Sequence, residues 1–327
     1  MKVPERSSPV IEVRDLCKTY DGKLVIDHLS FTVRPGVVTG FLGPNGAGKS
    51  TTMRLLVGLD RPTSGDALIG GVRYVDLVRP LTVVGALLDA RATHKGRSAY
   101  DHLLYLSQTQ RIARERIDEV LELVGLREVA HERAGGFSLG MGQRLGLAAA
   151  LLGDPQVLLL DEPVNGLDPD GIMWVRNLLI HLAGEGRTIL ISSHLMSEMA
   201  ATATDLVVIG RGRLIAACTT EDFVERSSKR SVLVVSPDAA ALTALITSAG
   251  GHVEVDAEGA LIVRLLDAAH IGALASHARL ELHELTPQLA SLEDAFMEQT
   301  HASTEFGAHR ADGDGDAVAA ASAGARA

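Results

Sequence analysis

Cysteine is almost missing from this chain. Cys17 and Cys218 are its only two thiols, and they suggest neither a disulfide framework nor a zinc site. Positive charge is not in excess either: a formal net charge of −10 argues against a nucleic-acid surface, which would be basic. Although 46% of the 327 residues are hydrophobic, no stretch approaches the roughly 18 uninterrupted apolar residues of a membrane span. The opening residues, Met1-Lys2-Val3-Pro4-Glu5-Arg6-Ser7-Ser8, hold no apolar signal core, so secretion is not expected and a soluble cytoplasmic location is the default. The length suffices for one large domain and one small one, with ample core. Aromatics are scarce, at 3%, so the position of each one carries information.

What is present is Gly43-Pro44-Asn45-Gly46-Ala47-Gly48-Lys49-Ser50-Thr51, which fits the phosphate-cradling pattern G-x-x-x-x-G-K-[ST]. The apolar run Val37–Leu42 before it reads as a buried strand, and the segment from Lys49 through Leu56 as the first turns of a helix. Strand, glycine loop and helix together turn backbone N–H groups into an anion nest at a helix N-terminus. The glycines let the backbone approach phosphate oxygens without an intervening Cβ. Lys49 suits the β- and γ-phosphates, and the Ser50 hydroxyl suits Mg²⁺. The pattern implies a nucleoside triphosphate.

From Val10 to Arg34 apolar and polar residues alternate, as in an antiparallel strand layer broken at Asp21-Gly22 and Pro35-Gly36. Tyr20, just before the first break, either stacks on a base or packs on the layer. Asp66–Ile69 reads as a short strand and Leu81–Leu88 as a buried one ending at Asp89. Ser98 to Val129 changes to helical spacing and reads as a helical insert, with Gly125 and Gly135-Gly136 as breakers. Gln156–Glu162 is an apolar run that delivers two acids to a crevice at its C-terminal end. Such acids also serve as helix caps. Beside a phosphate loop they read as Asp161 holding Mg²⁺ and Glu162 orienting or deprotonating the attacking water. Thr188–His194 repeats the design, with His194 placed to contact a γ-phosphate. Asp205–Ile209 and Arg213–Ala217 read as a hairpin around Gly210-Arg211-Gly212.

These pieces follow one another in the order found in the ATP-binding subunits of ABC transporters, and Val10 to Phe223 resembles that family. The most specific match is Phe137-Ser138-Leu139-Gly140-Met141-Gly142-Gln143-Arg144, which resembles the family's signature loop, usually written LSGGQ. The resemblance implies a P-loop NTPase core of α/β class with an N-terminal antiparallel β layer and a helical subdomain. It further implies that Ser138 and Gly140, at the start of a helix, face the γ-phosphate of ATP held by a second subunit. Ser138 also suits an ordinary N-cap. By the same resemblance Tyr20 stacks on adenine, Thr51 touches the α-phosphate, and His194 is the switch histidine. Asn165-Gly166-Leu167-Asp168 resembles the loop that meets the partner subunit.

Two departures stand out. Leu139 and Met141 replace the commoner Gly and Gln, removing polar groups near the partner's nucleotide. Asp89 stands where the family ends its strand with Gln. It is shorter and anionic, attractive to Mg²⁺ and repelled by a γ-phosphate.

Beyond Lys229 the signals restart as strand 231–235, helix 239–248, strands 253–255 and 261–263, helix 268–277, strand 280–283 and helix 291–299. That is the β-α-β-β-α-β order of a ferredoxin-like domain, α+β in class. Together with Ser291–Met297 it resembles the extension of the drug-export branch named for bacitracin and daunorubicin. It reads as a regulatory or dimerisation module, or as a packed extension without a ligand. Residues 301–327 are small and acidic with no apolar face and read as a disordered tail. The expected domains are 9–225, 229–300 and that tail.

The reading is an ATP-hydrolysing subunit, with ATP and Mg²⁺ as cofactors and Glu162, His194 and Lys49 as the catalytic set. Gly43 through Thr51, with Tyr20, Ser138 and Gly140, bind nucleotide; Ser50, Asp161 and Asp89 are the metal candidates. Expected partners are a second ATPase subunit, as a homodimer, and a separate permease at the cytoplasmic face of the membrane, with no nucleic acid. The alternatives are a soluble ABC-type ATPase acting on ribosomes or DNA, and a nucleotide-binding regulator without a permease.

Overall fold

A computed structural model describes residues 10–89, 92–226, 231–256, 258–288 and 290–300. The described residues fall into two compact units that part between Thr220 and Glu221. In the first, β1 (Ile11–Tyr20) and β2 (Lys23–Val33) form a hairpin whose turn residues, Asp21 and Gly22, both take positive φ. After β3 (Val38–Leu42) and α1 (Lys49–Leu56), β4 (Ser64–Ile69) returns to the free edge of β1 and completes a three-stranded antiparallel sheet.

A six-stranded sheet runs in the order β5 (Val84–Leu87), β6 (Val157–Asp161), β7 (Thr188–Ser192), β3, β8 (Asp205–Gly210), β9 (Arg213–Thr219). All neighbours are parallel except the β8–β9 hairpin. Every residue of β3 and β7 is buried, which is why these strands read as unbroken apolar runs rather than alternating ones. One core joins the two sheets through α1: Ile11, Ile26, Leu29 and Phe31 meet Phe41, Met53, Leu56 and Leu159. Because β6, β7 and β3 are adjacent and parallel, their C-terminal ends lie side by side. The glycine loop, Asp161-Glu162 and Ser192–His194 are thereby brought to one edge.

The insert folds as α2 (Ala99–Gln110) and α3 (Glu115–Leu123), and α4 (Leu139–Leu151) follows it. α4 approaches β5 so closely that a methyl on Gly85 would sit 2.0 Å from the Ala150 carbonyl oxygen, so only glycine fits there. α5 (Pro169–Gly184) and α6 (Met196–Thr202) follow β6 and β7, and α7 (Thr220–Glu225) spans the boundary between the units. Among the described residues no helix is long and apolar enough to cross a membrane.

The expected strand over Leu81–Leu88 is shorter than its apolar run. Pro80–Thr82 is a 3₁₀ turn, closed by the Thr82 and Val83 amides donating to Arg79 and Pro80, and only Val84–Leu87 pairs as β5.

The second unit contains β10 (Ser231–Val235), α8 (Ala239–Ser248), β11 (His252–Val255), β12 (Leu261–Arg264), α9 (Ala268–Ala278) and β13 (Glu284–Gln288). Its sheet is antiparallel in the order β11-β12-β10-β13, and residues 292–300 are helical. Val232, Val234, Leu261 and Val263 point to one face and bury against Leu242, Ile246 and Ile271 of the two helices. The expected strand over 280–283 is displaced. Arg279 ends α9 in a left-handed turn at φ 55, Leu280 and Leu282 pack on the core, and pairing begins only at Glu284 opposite Val235. Pro287 argues against a strand in sequence, yet β13 is an edge strand, where a missing N–H is tolerated. Residues 301–327, read as a disordered tail, lie outside the described residues.

Candidate active site

The loop between β3 and α1 encloses a cleft of about 340 Å³, lined by Val25, Pro44 through Thr51, Asp161 and Glu162. A turn from Ala47 N–H to the Pro44 carbonyl (3.1 Å) bends the chain, and the Gly212 N–H of the β8–β9 hairpin ties down the Ala47 carbonyl at 2.9 Å. Gly48 sits at φ 107, with a would-be Cβ 2.4 Å from Ile26 Cδ1. No other residue serves there without strain. Thr52 Oγ1 donates to the Gly48 carbonyl at 2.9 Å as the helix begins. Lys49 folds back along the loop, its Nζ 2.6 Å from the Gly43 carbonyl. Burial holds its pKa below the ordinary lysine value, while Glu162 and Asp161 pull it the other way.

A chain of hydrogen bonds then runs from the first turn of α1 across the ends of β6 and β7. Ser50 Oγ donates to Asp161 Oδ2 at 2.6 Å. Ser192 Oγ donates to the other carboxylate oxygen, Asp161 Oδ1, and accepts from the Glu162 N–H at 3.1 Å. Glu162 Oε2 lies 2.7 Å from His194 Nδ1 and accepts from the His194 N–H at 3.3 Å. The Glu162 backbone is in the left-handed region, at φ 51. For a residue with a long side chain that conformation costs about 1–2 kcal/mol, so its surroundings must hold it. They do so from both sides of the residue: its N–H is taken by Ser192, and its carbonyl accepts from Asn165 N–H at 3.2 Å and from Gln143 Nε2 at 2.9 Å.

The donors fit a magnesium ion. A serine hydroxyl from the first turn of α1 and a carboxylate from the end of β6 converge at the mouth of an anion nest. Mg²⁺ favours such a site, with few protein oxygens and the rest of its octahedron filled by phosphate and water. Asp89 lines a second, larger cleft of about 610 Å³ together with Ser50 and Asp161, so the three metal candidates share one opening.

The structure does not bring every expected residue to the loop. Tyr20 is absent from the lining of the phosphate cleft. Its hydroxyl donates to Asp60 Oδ2 at 2.9 Å, Arg54 holds the same oxygen at 2.7 Å, and the Lys18 ammonium lies 4.5 Å from the ring centroid. Ser138 and Gly140 also stand apart from their own chain's cleft. Ser138 Oγ caps α4 by accepting from Met141 N–H at 3.2 Å. Gly140 lies beside the Gly166 carbonyl, while Asp168 caps α5 by accepting from Gly171 N–H at 3.0 Å.

Two residues went unread in the sequence. Ser192 is buried completely, and Gln143 is only 3% exposed. For Gln143 the available signal was an amide on the otherwise apolar face of α4; for Ser192, a hydroxyl closing a buried run.

A family model described as ABC transporter matches residues 26–165, and a second, described as a domain of unknown function, matches residues 230–293. The uncharacterized ABC transporter ATP-binding protein YhcH of Bacillus subtilis (strain 168) is 37% identical over 299 residues, covering 89% of this chain and 96% of the relative. The bacitracin transport ATP-binding protein BcrA of Bacillus licheniformis is 41% identical over 225 residues, covering 68% and 74%. A solved ATP-binding subunit of an ABC transporter superposes with a TM-score of 0.62 at 26% identity, over 66% of this chain and 92% of that one.

Proposed function

The chain belongs to the ATP-binding proteins of the ABC transporter family and hydrolyses ATP, and from that premise we propose that it works in pairs to drive a separate permease in export. The observation that carries the site assignment is the continuous chain Ser50–Asp161–Ser192–Glu162–His194 at the mouth of the glycine loop. Gly43 through Thr51 would cradle the triphosphate, with Lys49 offsetting charge on its outer phosphates. Ser50 and Asp161, with Asp89 facing the same opening, would hold Mg²⁺, which when bound neutralises charge developing on the β- and γ-oxygens. Glu162 takes the water. It accepts a proton as the oxygen attacks the γ-phosphorus in line and the bond to the β-phosphate oxygen breaks, leaving ADP and phosphate. His194 holds the Glu162 carboxylate and from there would contact the γ-phosphate.

Ser138 caps α4 and, like Gly140, is absent from the lining of its own chain's cleft, which supports a second copy of the chain closing each site with that helix end. Tyr20 serves the base with the face that Lys18 leaves open. Loss of the γ-phosphate would part the pair and move the permease between its states. The export direction is supported by a relative 36% identical over 256 residues, the Nod factor export ATP-binding protein I of Burkholderia orbicola (strain AU 1054). Permease docking would put the chain on the cytoplasmic face of the membrane. The second unit, in its β-α-β-β-α-β order, is read as a ferredoxin-like module spanning 229–300, beside an ATPase domain spanning 9–225, and as a stabiliser of the pair.

The test is affinity purification of the tagged full-length chain from detergent-treated membranes, with mass identification of what accompanies it. An integral membrane protein recovered in stoichiometric amount is the expected outcome. Recovery from the soluble fraction alone, with no membrane protein attached, would overturn the permease reading.

A further inference from the structure

Gln143 lies in the second turn of α4, the helix that Ser138 opens, yet its side chain does not serve that helix. It is buried, and Nε2 donates 2.9 Å to the main-chain carbonyl of Glu162. A buried amide is kept out of water only where it has a partner that matters to it. Here the partner is the peptide of the one non-glycine residue lining the cleft that is held at positive φ. The same carbonyl accepts from Asn165, in the loop that leads to Asp168 and α5. On the other side of the residue, Ser192 fixes the N–H. The Glu162 side chain can therefore meet His194 only while its backbone is clamped from both sides, and one clamp is mounted on α4.

We propose that Gln143 is a positioning residue. It holds the Glu162 peptide in its left-handed conformation and so ties the alignment of that carboxylate to the placement of α4 in the same chain. The inference rests on the reading of Glu162 as the residue that takes the water. Within the pair, α4 presents Ser138 to the partner's nucleotide. Seating α4 there sets Gln143, and Gln143 sets Glu162 at the chain's own nucleotide. Each chain's contact with one ATP thus prepares it to hydrolyse the other.

The experiment compares Gln143→Met, which keeps the packing and removes the donor, and Gln143→Glu, which is isosteric but cannot donate when ionised. Mg²⁺–ATP affinity is measured by equilibrium binding and turnover by phosphate release. The expected result is a loss in kcat of about tenfold or more, with ATP affinity within about twofold of the parent, because only the transition state needs an aligned Glu162. Unchanged kcat overturns the inference. So does loss of binding or of folding in both variants, since that makes Gln143 a packing residue.

Mixed pairs locate the effect. When Gln143→Met and Glu162→Gln are placed on the same chain, the wild-type partner keeps one working site. When they are placed on opposite chains, both sites fail. Equal activity from the two arrangements contradicts action within one chain. If Glu162→Gln alone leaves turnover intact, the reading of Glu162 falls. If Glu162→Gln stops turnover and Gln143→Met does not, only the role of Gln143 falls.

Discussion

Replacing Ser192 with alanine tests whether the bonded chain across the strand ends carries both stability and chemistry. The hydroxyl is fully buried and has two partners, donating to Asp161 Oδ1 and accepting from the Glu162 N–H. Its loss leaves a peptide N–H without a partner, which costs about 1–2 kcal/mol, and removes a charge-assisted bond worth a similar amount. Asp161 keeps the Ser50 bond and is partly open to solvent, so the second figure is reduced. The sum is about 2–3 kcal/mol. For a unit of roughly 200 residues that lowers the unfolding midpoint by about 5–10 °C. The freed Glu162 peptide also relaxes from its left-handed conformation, so turnover should fall about tenfold while ATP affinity holds. Differential scanning calorimetry of the larger unit's transition, with phosphate release on the same preparation, reads both. A midpoint shift below about 1 °C with unaltered turnover would refute the reasoning, since neither the buried N–H nor the strained peptide would then depend on the hydroxyl.

Further expectations concern the loop and the larger cleft. Gly48→Ala adds a Cβ 2.4 Å from Ile26 Cδ1 at φ 107, and the resulting strain of about 1–3 kcal/mol should weaken ATP binding by about fivefold or more in a fluorescent-nucleotide titration. His102 lines the cleft that Asp89 faces. Burial, and then Arg97, hold its pKa below 6.5, so it is neutral in the fold where the unfolded chain takes up a proton. Its contribution to stability is therefore complete above pH 6.5 and is lost as pH falls through its folded pKa. In His102→Gln the drop in unfolding midpoint between about pH 7.5 and about pH 5.5 should be smaller than in the parent; an equal drop would assign the acid sensitivity elsewhere.

What could be read from the sequence was what is local. The loop at Gly43–Thr51, the run ending in Asp161-Glu162 and the Asp21-Gly22 hairpin each carry their geometry in adjacent residues, and each forms as read. The runs at 81–88 and 280–283 were misplaced because apolar content marks burial, not pairing. Pro80 turned one into a 3₁₀ start, and the left-handed Arg279 delayed the other. Gln143 and Ser192 were hidden for a different reason. Their partner is the backbone of Glu162, whose conformation depends on two strand ends and a helix meeting, and no spacing along the chain records that. Tyr20 shows the reverse: its place before a turn was legible, but not its bond to Asp60.

The most direct test of the whole account is phosphate release from Mg²⁺–ATP by the parent chain and by Glu162→Gln, with ATP binding measured in parallel. The expected outcome is hydrolysis by the parent and a loss of about a hundredfold or more in the variant, which still binds ATP and elutes as a pair in its presence. Steady-state hydrolysis at the parent rate in Glu162→Gln would contradict the assignment of the chemistry to this carboxylate.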